Sequence, residues 1–100
     1  MTKIKVTKVN SHIRFEAENH ADTKEVCAGI SALLCTLHGA IENCETAYPV
    51  YAQLDPGHTV IEYLAQNEVA EWIGYTILIG LMQIELAHKE EVTVTQNIFI

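Results

Sequence analysis

A histidine and a cysteine seven positions apart, His20 and Cys27, are the residues of this chain best placed to do chemistry. They lie in the segment NHADTKEVCAGISALLCTLHGAI, where a short polar stretch runs into a helical apolar pattern. Thiol catalysis needs a thiolate and a base that takes and returns its proton. A cysteine near a helix start meets the amide end of the macrodipole, which favours negative charge, although the effect fades beyond the first turn. Imidazole is the base suited to neutral pH. Lys24 adds a positive charge one turn before the thiol. The alternative for Cys27 is an inert, semi-buried cysteine that packs like a small hydrophobe. Ser31, one turn further on, either supports the sulfur and the substrate or bonds back to the Cys27 carbonyl. Asp22 and Glu25 read as helix-capping residues, with orientation of His20 as the other option. His38 shares the helix but lies about 16 Å along it. His12, His58 and His88 stand at a strand start, after a turn and at a helix end, far away in sequence.

The elements that must position this pair follow from periodicity. Residues 3–8 and 12–18 alternate, and Asn10-Ser11 between them suits a turn, so they read as an antiparallel hairpin. A helix is expected from about Thr23 to Asn43, with Asp22 and Glu25 resembling a capping box. Its buried stripe is Val26, Ile30, Leu33, Leu34, Leu37 and Ile41. Cys27 falls roughly 70° from the centre of that stripe, a border position. Tyr48, Val50, Ala52 and Leu54 alternate, Asp55-Pro56-Gly57 turns the chain, and residues 58–64 continue as a strand. Pro49 cannot donate to a ladder, so its strand is expected at an edge or to start there. A second helix, about Glu68 to His88, is capped by Asn67 and is apolar around its middle, so it should be covered on more than one side. A last strand spans about Glu91 to Gln96. The order β-β-α-β-β-α-β describes one α+β domain over residues 1–100, with two layers, an antiparallel sheet and two helices on one face. The apolar tail Asn97–Ile100 is expected to cover a neighbouring subunit.

Composition narrows the function. The chain has 100 residues, 49 % of them hydrophobic and 19 % charged. Thirteen acidic residues oppose six basic ones, for a net charge of -7. No basic stripe exists, which argues against nucleic acid, and an acidic surface attracts basic partners. The most apolar run, Trp72 to Met82, is short for a membrane span. Three cysteines without a CxxC pair point to a reducing, cytoplasmic setting and to no metal or cofactor. Cys27 and Cys35, about 12 Å apart on one helix, are too far apart for a disulfide. Cys35 and Cys44 read as packing residues.

At His20-Ala21 and Val26-Cys27-Ala28, with Ser31 following, the chain resembles the ribosomal-processing cysteine proteases, the Prp family. That family's signature is Gly-His-Ala, a glycine-containing loop, and Asp-x-Val-Cys-Ala-x-x-Ser opening a helix. The closing GLMQIELAHKEEVTV is similar to the family's last helix and strand. The resemblance implies a homodimeric cysteine endopeptidase with Cys27 as nucleophile, His20 as base and Ser31 in support. Its substrate would be the terminus of a ribosomal protein, or of a phage capsid or scaffold protein. Three departures stand out: Asn19 replaces the glycine, Lys24 replaces the aspartate, and the loop to Cys27 is shorter and lacks glycine, hence stiffer. They keep a second reading open, a non-catalytic dimeric module of the same fold.

Overall fold

The computed structural model describes residues 1–99; Ile100 lies outside the described residues. Its elements are β1 (Thr2–Val9), β2 (His12–Glu18), α1 (Lys24–Glu42), β3 (Ala47–Asp55), β4 (His58–Ala65), α2 (Glu68–Ala87) and β5 (Val92–Gln96). Alternation makes the two hairpins. β1 pairs antiparallel with β2 around Asn10, which takes φ 55, a left-handed value that asparagine tolerates. β3 pairs antiparallel with β4 around Pro56-Gly57. Gly57 has φ 78, the value that the second central residue of a type II turn needs, after proline.

The sheet order is β3-β4-β2-β1-β5. Four strands are antiparallel neighbours, but β5 runs parallel to β1, pairing Thr2 with Val92 and Ile4 with Val94. The expected purely antiparallel sheet is therefore a mixed one. The reason is the connection: each helix carries the chain back over the same face, so the strand after it runs parallel to the strand before it. Beyond that one pairing, the two-layer α+β arrangement and the element order are as the sequence indicates.

One face of the sheet is apolar. Val6, Ile13, Phe15, Ile61 and Tyr63 are at most 1 % exposed. Onto them α1 lays Val26, Ile30, Leu34, Leu37 and Ile41, and α2 lays Ala70, Ile77, Leu78 and Leu81. Tyr63 crosses the core and donates its hydroxyl to the Ala70 carbonyl at 2.8 Å. Burial raises its phenol well above the ordinary value. Gly74 leaves room for that hydroxyl; a methyl group there would sit 2.5 Å from it.

Several local expectations change. A bulge between Pro49 and Tyr51 shifts the register of β3, so Tyr48 no longer shares a face with Ala52 and Leu54. β3 is an edge strand, as Pro49 requires. α2 is covered on two sides, as expected, by the sheet at Gly74 and by α1 at Gly80, where Leu33 packs; its remaining side leaves Val69, Trp72, Ile79 and Leu86 exposed. By length and composition alone, both helices are apolar enough to cross a bilayer; the shorter Trp72–Met82 run understated this for α2. The tail folds back on its own chain. Ile98 and Phe99 pack on the core, the Gln96 side chain accepts both their amides at 2.7 Å, and Phe99 meets Tyr75 edge-on.

The opposite face carries a row of paired charges. Arg14 reaches Glu62 and Glu16, each at 2.9 Å. His58 pairs with Glu16 at 2.9 Å and His12 with Glu62 at 3.1 Å. The Arg14 guanidinium, then the His58 ring, lower the Glu16 carboxyl from 4.5 to about 2. A depressed carboxyl stabilises the fold fully above its unfolded value and loses that contribution as pH falls through the folded one.

Two outcomes follow. Gly74→Ala should lower the urea midpoint, because overpacking costs about 1–3 kcal/mol against the helix-propensity gain of alanine, about 1 kcal/mol; Gly39→Ala, where no atom lies within 4 Å of the new methyl, should raise it. The melting temperature of the wild type should drop as pH falls from 4.5 toward about 2, and Glu16→Gln should flatten that part of the curve.

Candidate active site

The end of β2, the start of α1 and the β3–β4 turn enclose an open cleft of about 430 Å³. His20, Cys27 and Ser31 all line it, together with Thr2, Asn19, Leu34, Leu54 and Gly57. The sequence-derived residues thus meet in one place. Cys35 also lines the cleft and is exposed, which corrects its reading as a packing residue. Cys44 lies elsewhere; its sulfur is 3.4 Å from the Thr46 hydroxyl, a contact that lowers its thiol from the ordinary value.

Cys27 is half-buried, in the border position its helical phase indicates. Its amide already bonds to the Thr23 carbonyl at 3.2 Å. Its sulfur is met by the Ala21 N–H at 3.2 Å and lies 3.5 Å from the Ala21 carbonyl. An N–H aimed at sulfur is the kind of donor that a thiolate uses.

His20 is exposed and sits over the β3–β4 turn. A methyl group on Gly57 would come within 3.1 Å of its Nε2. No hydrogen bond joins His20 to Cys27 among the described residues; catalytic contacts of this kind often tighten only when substrate binds. His20 nevertheless differs from the other histidines. His12, His38, His58 and His88 each have a carboxylate within 4 Å: Glu62, Glu42, Glu16 and Glu91. Among the described residues His20 has none. His58 reaches the cleft wall, which its sequence distance concealed, but its Nε2 is committed to Glu16.

The loop between them is tied to the rest of the chain at several points. Asn19 takes φ 70, a left-handed backbone that asparagine adopts more readily than most residues, so it fills a glycine's place. Its N–H donates to the Gly57 carbonyl at 2.8 Å, and its carbonyl accepts from the Thr2 hydroxyl at 3.2 Å. The expected capping box is absent. Thr23 is the N-cap and makes no side-chain cap. Asp22 instead faces the N-terminal amine at 3.8 Å, and neither Asp22 nor Glu25 bonds to His20 among the described residues. The Thr23 amide is taken by the Glu91 carboxylate at 2.7 Å, a residue that sequence reasoning missed because it lies 68 positions away. Ser31 is exposed to the cleft and makes no bond to the Cys27 carbonyl among the described residues. Among the described residues, two side-chain groups could hold a metal, Glu16–Glu18–His58 and His88–Glu90–Glu91; neither includes the thiol.

A thiol in the first turns of a helix and an imidazole lining the same cleft are the groups that a cysteine protease uses, and comparison with known proteins bears on this directly. Residues 1–93 match the family model of the cysteine protease Prp, and the chain belongs to that family. The essential ribosomal processing protease Prp from S. aureus, in complex with a covalently linked product peptide, superposes with a TM-score of 0.83 at 27 % identity, over 97 % of this chain and 100 % of that one. A second structure of it, with a substrate peptide, gives 0.82 at 25 % identity, again over 97 % and 100 %. A protein from Streptococcus mutans shares the fold, with a TM-score of 0.75 at 17 % identity over 96 % of this chain and 93 % of that one. No curated protein matches the chain.

Gly57→Ala combines an unfavourable left-handed residue, about 1–2 kcal/mol, with a methyl group against His20. The expected result is a small fall in melting temperature and a His20 ring displaced from the turn, seen in a crystal structure of the variant.

Proposed function

We propose that this chain is a cysteine endopeptidase that trims a short terminal extension from a ribosomal protein, with Cys27 as nucleophile and His20 as base. The observation that carries the reading is the meeting of Cys27, His20 and Ser31 in one cleft, with a backbone amide directed at the sulfur. Family membership and the peptide-bound S. aureus relatives support the substrate class. The net charge of -7 suits a basic ribosomal partner.

In the reaction, Sγ of Cys27 attacks the scissile carbonyl carbon as His20 takes the thiol proton. The C–N bond breaks, and His20 returns the proton to the leaving amine. Water, with its proton taken by His20, then cleaves the thioester, releases the acid and restores the thiol. The amides of Lys24, Glu25 and Val26 have no acceptor among the described residues, so they are available to an oxyanion. Ser31 positions the substrate beside the sulfur.

The reading extends to a reducing, cytoplasmic setting, in keeping with three free cysteines. It also extends to a homodimer, which exposed Val69, Trp72 and Ile79 on α2 support. A second reading, a non-catalytic module of the same fold, is favoured by the missing His20–Cys27 hydrogen bond and by Lys24.

The test is incubation with a large-subunit ribosomal protein carrying an N-terminal extension and, separately, with a phage capsid protein, read by mass. We expect cleavage of the ribosomal protein, its abolition in Cys27→Ala, and a loss of about 10²–10⁴-fold in His20→Ala. Cys27 should also be alkylated faster than Cys35 and Cys44, as mapped by mass. Slow alkylation of Cys27 with no cleavage of either substrate would establish the module instead.

A further inference from the structure

We infer that Glu91 is a positioning residue: its carboxylate fastens the Asn19–Thr23 loop and so sets His20 and the Ala21 amide against Cys27. The inference rests on the peptidase reading above. It starts from an anomaly. Glu91 has a side chain only 7 % exposed, and burying a carboxylate is costly unless donors surround it. The donors are on the loop. Oε1 accepts the Thr23 N–H at 2.7 Å and Oε2 accepts from the Thr23 hydroxyl at 3.4 Å. His88 Nδ1 lies 3.7 Å away. The position suits a carboxylate, because a helix N-terminus carries partial positive charge.

The backbone of Glu91 braces the other end of the same loop. Its carbonyl accepts the Thr2 amide at 2.8 Å, and the Thr2 hydroxyl in turn donates to the Asn19 carbonyl. Its own N–H is tied to the His88 carbonyl at 3.0 Å. One residue thus joins β1, the end of α2 and the entrance to α1. The arrangement also explains the missing local cap. The Thr23 hydroxyl turns to Glu91 and does not fold back on the Val26 amide, which leaves the amides of the first turn open. Without the carboxylate, Thr23 is free to cap its own helix and occupy one of them.

The experiment compares Glu91→Gln and Glu91→Ala in the full chain. Glutamine keeps an acceptor for the Thr23 amide; alanine does not. We expect E91A to lower kcat on the extended ribosomal protein by about tenfold or more, with KM little changed. It should also slow iodoacetamide alkylation of Cys27 relative to Cys35. E91Q should retain most of both. The other titratable groups of the cleft, His20, Cys35, Asp55 and His58, are common to all three proteins. The inference is overturned if E91A matches the wild type in both readouts, or if E91Q falls as far as E91A, since charge and not position would then be at work. Should E91A fail to fold, hydrogen exchange of the wild-type Thr23 amide decides: protection supports the brace, and free-loop exchange overturns it. A wild type that neither cleaves nor alkylates quickly at Cys27 sinks the peptidase reading alone, because the exchange measurement still judges the brace.

Discussion

Only five residues, Asn19–Thr23, separate the last residue of β2 from the first of α1, and the site depends on that short span. An extended chain covers at most about 3.3–3.6 Å per residue, so strand end and helix start cannot lie far apart. The span also contains no glycine to loosen it. Its geometry is therefore set by what it bonds to: the Gly57 carbonyl, the Thr2 hydroxyl and the Glu91 carboxylate. Three partners from three different parts of the chain converge on it. The thiol and the imidazole share a cleft because this strap is short and tied down.

The sheet behind the strap divides its labour by face. The inner face is filled by apolar side chains under two helices, and the burial of Phe15 and Tyr63 holds the layers together. The outer face sets His12 and Arg14 of β2 and His58 of β4 against Glu16 and Glu62, with Arg14 directly opposite Glu62. This pairing also removes His58 from competition for the cleft, leaving His20 as the imidazole there with no carboxylate within 4 Å among the described residues. A charge ladder on the far side of the sheet in this way decides which ring is free.

Much of this was legible in the residues. The hairpins were readable because Asn10-Ser11 and Asp55-Pro56-Gly57 announce turns. The helices were readable from 3.6-residue periodicity, and Cys27 at the helix border from its phase. His20 was found by proximity to a thiol and by a family resemblance. What escaped was non-local. Nothing near Val92 marks it as a partner of Thr2, ninety positions away, so the parallel pairing was missed. The bulge at Val50 was missed because an extra residue in a strand leaves alternation superficially intact. Glu91 was invisible as a cap for the same reason as β5: its contacts are with the opposite end of the chain. The packing of Ile98 and Phe99 on their own core was not foreseen, because apolar ends find their own core as readily as a neighbour's.

The pairing of β1 with β5 has an outcome for biosynthesis. A ribosome delivers His20 and Cys27 well before Glu91 and β5. Until then the outer edge of β1 is unpaired, Thr2 lacks its carbonyl partner, and the helix entrance is unfastened. Local hairpins and helices form quickly, whereas the pairing of β1 with β5 waits until β5 is made. The cleft around Cys27 is therefore incomplete in the nascent polypeptide until β5 has been made.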